Sequence, residues 1–468
     1  MKIDASFKKK INNCVVRIVA ETMNINWNIP YMLEKPFKGQ GSGFFIDNKG
    51  HILTCAHVVN GTKNLYVEIP NISSEKYECI VVGICPFFDI ALIKCKNYKS
   101  KDYLEIGDSL KINIGKEVIV VGYPASYTLT SSNKNNLKFT VGIISGQQKG
   151  LIQTDSAINP GNSGGPLICK NKVIGINSMK LVGDSLENIG YAVPINNYKM
   201  IKDSFQTNII YRPNLLFEFN NTDKLVLQKL TNNKCSNGII VSKIFNGSPL
   251  LETDIKKDFI ITKINDIEID NYGFSLNYKW LETNISIDVL LNNFKNNDIL
   301  KINYFNNDKP GIANVKLIPF IPPVRSMYPS IETISYFIIG AVVFMDLNIN
   351  HIKNNSTSFL SILSDTEELL KPHLIVSFVF PNSKIDILNN ITKDNLITKV
   401  NNIDVCCLND FKKALNKPII INKKEYIKIE SDKGKSIIML IEDLIEQDIL
   451  FSNQYGYSLN DFHKKYIK

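Results

Sequence analysis

The chain of 468 residues predicts a mainly β protein: a barrel-type β domain over residues 10–200, then two related α+β modules over 211–320 and 325–450, with a tail over 451–468. Three observations carry this reading. From Asn13 to about Ile195, short runs rich in β-branched and aromatic residues alternate with turn clusters, the pattern of an antiparallel barrel protein. Beyond them a long internal repeat is visible. Ile240–Ser248 (IVSKIFNGS) recurs as Ile375–Ser383 (IVSFVFPNS), and Lys257–Asn265 (KDFIITKIN) recurs as Lys393–Asn401 (KDNLITKVN), so whole modules are repeated. Finally, 44% hydrophobic and 21% charged residues are ordinary for a globular protein, and the length suits two to four separate cores.

Taken in order, the amino-terminal segment MKIDASFKKKINNCVVRIVA has a short apolar part interrupted by Arg17 and reads as the first strand, with no room for a removable signal peptide. The runs CVVRIVA, SGFFI, HILTCA, LYVEIP, ECIVVGI, IALIKC, EVIVVG, FTVGIISG, LIQT, PLICKNKVIGI and YAVP follow as strands. Residues 196–210 are helix-like and make a linker. Each repeated module then shows a strand, a turn, a second strand and a short helix, while Asn292–Pro310 and Lys417–Lys435 are polar and read as loop-rich.

Within the barrel region three residues form a chemical constellation. Ser163 lies in Gly161-Asn162-Ser163-Gly164-Gly165-Pro166, held between glycines. A hydroxyl is a weak nucleophile, so it needs a fixed direction, a base and a stabilised oxyanion. Gly161 lets the backbone turn so that its N–H and that of Ser163 point at one oxygen, with Asn162 inside the turn. His57 interrupts the apolar run His51–Val59, and Asp89 stands at the mouth of the strand Ile90–Ile93. Singly, each has a structural explanation as turn, core residue or cap. Together, in the chain order His, Asp, Ser, they point to acyl transfer with Ser163 as nucleophile, His57 as base and Asp89 as its orienting group.

The stretches GSGFFID (41–47), LTCAHVV (53–59), DIALIKC (89–95), GYPAS (122–126), QTDSAINPGNSGGPL (153–167), GINS (175–178) and NIGYAVP (188–194) resemble the Deg/HtrA serine proteases. RPNLLF (212–217), IVSKIFNGSPL (240–250) and DFIITKINDIEI (258–269) resemble a PDZ domain, and SYFIIGAVVF (335–344) with the carboxy-terminal third resembles the second PDZ of the plant-type eukaryotic branch. The resemblance implies a double six-stranded β-barrel (trypsin-like) protease domain followed by two α+β PDZ-like domains. It implies ATP-independent cleavage of unfolded or misfolded proteins, in a homo-oligomer built from trimers. Trp27 and Tyr31 are either contacts of that oligomer or core residues. The oxyanion hole falls on Gly161, Asn162 and Ser163. The primary pocket has Ala157 as its floor, with Ile158, Asn177, Met179 and Ala192 as walls, suiting small or medium aliphatic side chains, whereas Asp155 reads as structural. Two departures stand out: the PDZ carboxylate loop is Leu215-Leu216-Phe217 where glycine is usual in the middle, and Gly146–Gly150 is far shorter than the family's sensor loop. The alternative from another class is a proteolytically weak chaperone or a PDZ peptide-binding scaffold.

Composition excludes other functions. The net charge of +9 comes from scattered lysines, with Lys8-Lys9-Lys10 the longest basic run, so no nucleic-acid partner is expected. Nine cysteines without a CxxC pair read as reduced thiols, and five histidines without ligand spacing suggest neither a metal site nor a cofactor. The longest lipophilic run, Tyr336–Met345, is half of the ~20 residues a membrane helix needs. The expectation is a soluble intracellular protein of the cytoplasm or nucleus.

Overall fold

A computed structural model describes residues 4–32, 34–73, 75–124, 137–178, 189–206, 208–355 and 359–467. It divides into two compact units, Met1–Thr22 with Phe37–Phe320 and Met23–Pro36 with Ile321–Lys468.

The first unit opens with two closed antiparallel barrels. β1 (Val15–Thr22), β2 (Phe37–Phe45), β3 (His51–Thr54), β4 (Thr62–Glu68), β5 (Lys76–Cys85) and β6 (Ile90–Cys95) close in the order β1-β2-β3-β6-β5-β4. β7 (Glu117–Gly122), β8 (Lys138–Gln148), β9 (Leu151–Thr154), β10 (Pro166–Cys169), β11 (Lys172–Ser178) and β12 (Gly190–Pro194) close as β10-β11-β12-β9-β8-β7. Alternating side chains along these strands fill the barrels, and one apolar cluster runs from Leu53 and Ile90 to Ile119 and Ile176, joining them.

A third sheet follows in the same unit: β13 (Phe217–Asn220), β14 (Ile239–Ile244), β15 (Ile260–Ile264), β16 (Ile267–Glu268), β19 (Ile299–Asn306) and β20 (Lys309–Lys316), with a separate hairpin of β17 (Phe274–Trp280) and β18 (Thr283–Ser286). It packs directly on the barrels. Trp280 is buried and its Nε1–H donates to Ser109 O at 2.9 Å. The Arg212 guanidinium lies 4.9 Å over the Phe88 ring and donates to Phe294 O.

The second unit holds β21 (Tyr336–Ile339), β22 (Val342–Asp346), β23 (Leu374–Val379), β24 (Leu396–Val400), β25 (Ile403–Asp404), β26 (Ile419–Ile421), β27 (Lys424–Ser431) and β28 (Ser436–Leu440). The sequence repeat is a structural repeat in register. Ile239 faces Ile261 as Leu374 faces Ile397, and Ile240 faces Ile260 as Ile375 faces Leu396. Asp258 and Asp394 occupy the same left-handed corner, at φ 70° and 66°, before β15 and β24.

Several elements differ from the sequence reading. Residues Ala5–Cys14 are a helix, because Phe7, Ile11 and Cys14 fall on one helical face and all three are buried; β1 begins only at Val15. The linker helix is confined to Ile195–Ile201, after which Ile209 bridges to Ile84 of β5. The polar stretches at 292–310 and 417–435 contain β19 and β27, whose buried positions alternate. There the buried face is supplied by every second residue only, so average polarity concealed a period of two.

The stretch expected as a tail is also structured. The helix Ile441–Tyr455 crosses its start, and Tyr457, Phe462 and His463 are buried in the second unit. Trp27, 6% exposed, joins the same core edge-on to His351, and Tyr31 packs against Tyr336 and Tyr457. These aromatics serve as packing within their own chain. Among the described residues no helix is long and apolar enough to cross a membrane.

Candidate active site

The site is assembled by strand ends of both barrels. β3 ends at Thr54, and the chain turns through Cys55 into the one-turn helix Ala56–Val59 that carries His57. Asp89 sits just before β6 with φ 57°, a left-handed conformation that aspartate tolerates better than most residues. Its Oδ1 accepts the backbone N–H of His57 at 3.0 Å and its Oδ2 pairs with His57 Nδ1 at 2.8 Å. A second donor reaches Oδ2 from the other barrel: Ser178 Oγ–H, at the end of β11, at 2.9 Å. With Nδ1–H given to the carboxylate, Nε2 of His57 is left as an acceptor. The Asp89 side chain is 6% exposed and that of His57 39%, so the imidazole is open to solvent while the carboxylate beside it is not.

The nucleophile turn is pinned by the first barrel. Ser42 of β2 donates its N–H to Ser163 O at 2.9 Å and its hydroxyl to Gly161 O at 2.7 Å, and Thr54 Oγ1 donates to Ser42 O at 2.7 Å. From the second barrel, Asn177 O accepts Gly164 N–H and Asn177 N–H donates to Gly165 O, both at 2.8 Å. Gly164 has φ 87°, and a Cβ there would lie 2.2 Å from both Ser42 O and Thr54 Oγ1. Glycine is therefore required by both dihedral and space, and its close approach draws Ser163 against the strand that leads into His57.

Inside the turn, Asn162 N–H donates to Asn159 O at 2.9 Å and Gly165 N–H to Asn162 O at 3.0 Å. Asn162 is buried, and Gly122 has room for no side chain against its Cα and Oδ1. Its backbone N–H is thus committed to the turn, which corrects its place in the expected oxyanion hole. Among the described residues, the N–H groups of Gly161 and Ser163 make no backbone hydrogen bond within the turn.

Of the expected pocket residues, Ala157 is exposed, and half-buried Ile158 lies against Gly190, where an added Cβ would come within 2.9 Å of the Ile158 side chain. Asn177 is fully buried; its amide donates to Val121 O and Pro166 O, making it a strut between β7 and β10 rather than a wall. Ala192 points into the core of the second barrel beside Ile152 and Leu167, so it lines no pocket. Met179 lies outside the described residues. Asp155 accepts Ile143 N–H at 2.6 Å, a structural role.

Cys55, His57 and Asp89 bring three donor atoms within 4.8 Å of one another. The Cys55 thiol donates to Asn177 O at 3.2 Å, and burial, with Asp89 beside it, pushes its pKa well up. A thiol held in its protonated form is a poor metal ligand.

Sequence reasoning passed over Ser42 and Ser178, although both lie in stretches that carried the resemblance. Ser178→Ala should lower kcat roughly tenfold, equivalent to about 1.4 kcal/mol, with KM changed less than twofold, because one of the donors that orient Asp89 is lost while the binding surface is kept. Steady-state kinetics on a fluorogenic peptide measure this, and a change confined to KM would assign Ser178 to substrate binding instead.

The loop counterpart regions show two further features. β8 and β9 are joined by a two-residue turn at Lys149 and Gly150, with φ 48° and 77°, so the expected short loop is a tight hairpin. Its Gln147 amide donates to Thr283 Oγ1 of β18 at 2.9 Å. Leu215 and Leu216 are buried, and Leu216 holds φ 48° with its N–H donated to Asn214 Oδ1 at 2.8 Å.

Residues 41–176 match the family model of the trypsin-like peptidase domain. The chain is 31% identical over 239 residues to the serine protease Do-like HtrB of Bacillus subtilis, covering 48% of this chain and 52% of that protein, about half its length. It is 27% identical over 431 residues to the Do-like 13 protein of Arabidopsis thaliana, covering 88% of this chain and 84% of that one. The fold resembles the solved HtrA-type protease AlgW with decapeptide, with a TM-score of 0.51 at 20% identity over 68% of this chain and all of that one.

Proposed function

Because the chain belongs to the Deg/HtrA family of serine proteases, we propose that it is an ATP-independent serine endopeptidase acting on unfolded or misfolded protein. The observation that carries this is the Asp89 carboxylate, tied at once to the backbone N–H and Nδ1 of His57 and to Ser178 of the other barrel. Ser163 Oγ attacks the scissile carbonyl as His57 takes its proton, and Asp89 stabilises the imidazolium that results. The N–H groups of Gly161 and Ser163 receive the developing oxyanion, each worth on the order of 3 kcal/mol. His57 then returns the proton to the leaving amine, and water repeats the sequence to release the acyl group.

The substrate pocket at Ala157 and Ile158 has no charge to pair with lysine or arginine, and we read it as selecting small or medium aliphatic side chains. Such residues are buried in native proteins, which supports unfolded substrates. The repeated modules, residues 211–320 and 325–468, we read as PDZ-like, the second including the former tail. In line with the family we propose a homo-oligomer, with contacts other than Trp27. All nine cysteines are free and six are buried, which supports a compartment that keeps thiols reduced.

The test is a digest of casein with mapping of the cut positions, run beside a Ser163→Ala control. Sites should follow valine, isoleucine, alanine or leucine, with none in the control. Cuts dominated by basic residues would show that the pocket is elsewhere.

A further inference from the structure

We infer that the second PDZ-like module is self-ligated: β21 fills the sheet edge where a peptide strand would add, and Asp448 fills the turn that would hold the peptide's terminal carboxylate. The inference rests on the peptide-module reading of residues 325–468 and is independent of the protease.

Modules of this type bind a protein C-terminus by adding it as a strand to an open sheet edge, with backbone N–H groups of a turn capturing the carboxylate. The internal repeat identifies both parts in this chain. Phe245 N–H donates to Leu216 O at 3.0 Å and Phe380 N–H to Ala341 O at 2.9 Å, 135 residues on in each donor, so Leu216 and Ala341 are equivalent turn positions. Both hold left-handed backbones, at φ 48° and 57°. The strands that follow them, β13 and β22, are equivalent too, each pairing antiparallel with the repeated strand β14 or β23. Among the described residues β13 pairs with β14 alone, whereas β22 is covered on its other edge by β21, from Tyr336↔Met345 to Ile339↔Val342.

β21 runs antiparallel to β22 and ends at the turn, the direction an added C-terminal peptide would take. Its Phe337 packs edge-on against Phe411 of the helix Leu408–Leu415, with ring centres 5.8 Å apart. Gly340 and Ala341 form the two-residue turn, with φ 63° and 57°, so their successive N–H groups point to one side as an anion-binding nest. Both are filled: Gly340 N–H donates to Asp448 Oδ2 and Ala341 N–H to Asp448 Oδ1, each at 2.7 Å.

The occupant is built in. Asp448 is fully buried on the helix Ile441–Tyr455. Tyr457 OH donates to its Oδ1 at 3.1 Å, and His463, also fully buried, reaches Oδ2 through Nε2 at 2.8 Å. His463 Nδ1 accepts Asn460 N–H at 3.2 Å, which places the ring proton on Nε2 and makes it a donor to the carboxylate. Four donors thus satisfy one buried carboxylate, two from the nest and two from the carboxy-terminal segment that closes over it. Gly340 has no room for a side chain, since a Cβ would stand 2.8 Å from Leu444 of the same helix.

The test uses the full-length chain carrying Ser163→Ala, so that peptides survive. The probe is a labelled peptide of residues 330–339, ending in a free carboxylate at Ile339, beside its C-terminal amide. Adding Phe337→Ala and Asp448→Ala to vacate the site should tighten binding of the free acid about tenfold or more over the parent, and the amide should bind the opened chain about tenfold more weakly than the acid. Equal affinities of parent and opened chain, or of acid and amide, overturn the inference. Should the opened chain fail to fold, hydrogen exchange on the near-isosteric Asp448→Asn decides. The Gly340 and Ala341 amides should exchange about tenfold faster while β23 and β24 keep their protection. Unchanged exchange at the turn means that Asp448 is not the occupant. Faster exchange with no peptide binding by a folded, opened chain rejects the peptide-module reading itself.

Discussion

Ser163→Ala should remove casein cleavage, with kcat falling on the order of 10⁶-fold, and His57→Ala should match it, because nucleophile and base act as one unit. The structural cost of the serine change is small. Ser163 makes its fixed contacts through the backbone, its carbonyl accepting Ser42 N–H, and alanine keeps that carbonyl. A thermal melt of Ser163→Ala should therefore stay within about 2 °C of the parent. Asp89→Asn should be milder than either but still severe, on the order of 10⁴-fold, since an amide facing His57 Nδ1 favours the wrong tautomer. Labelling by a fluorophosphonate should follow the same order. Turnover within tenfold of the parent in the serine or histidine variant would reject the assignment of the site.

Gly164→Ala should be a severely damaging conservative change, and for a reason unrelated to chemistry. Its φ of 87° costs an alanine roughly 1 kcal/mol. The larger effect is steric. The new methyl would stand 2.2 Å from Ser42 O and Thr54 Oγ1, where the two barrels meet, and neither Ser42 O nor Thr54 Oγ1 is free to yield because they are bonded to each other. A loss of about 4 kcal/mol or more is expected, the range reserved for broken cores and strained backbones. Gly61→Ala is the control: it shares a positive φ of 71° but meets nothing within 4 Å, so it should cost only the dihedral term. Chemical denaturation of both variants measures the difference. If Gly164→Ala is as stable as Gly61→Ala, the close approach of Gly164 to Ser42 and Thr54 is not tight.

The candidate catalytic residues were legible because their types and local settings are those that the proposed reaction demands. A serine between glycines, a histidine breaking an apolar run and an aspartate before a buried strand each carry a signal within a few neighbours. Ser178 carries none of its own. Its value lies in meeting Asp89, 89 residues earlier in the chain, and only closing two barrels on one another creates that contact. Asn177 and Ala192 failed as pocket walls for a related reason: their neighbours in sequence suggested a lining, but the pleat of β11 and β12 turns both side chains inward.

Periodicity determined the β character of the chain, since burial on one face leaves a mark every second residue, and self-similarity of two motifs determined the repeat of its two modules. The amino-terminal helix carries a mark of its own, the helical spacing of Phe7, Ile11 and Cys14 on one face. Other features were settled by tertiary structure alone. Residues Met23–Pro36 leave the first barrel between β1 and β2 to place Trp27 in a core whose other members begin at Val324. The carboxy-terminal segment brings Tyr457 and His463 to a carboxylate on the preceding helix. A buried aromatic ring or a buried charge is stabilised by whatever partners surround it in space, and local sequence records a residue's chemistry without recording which distant groups the folded chain will bring to meet it.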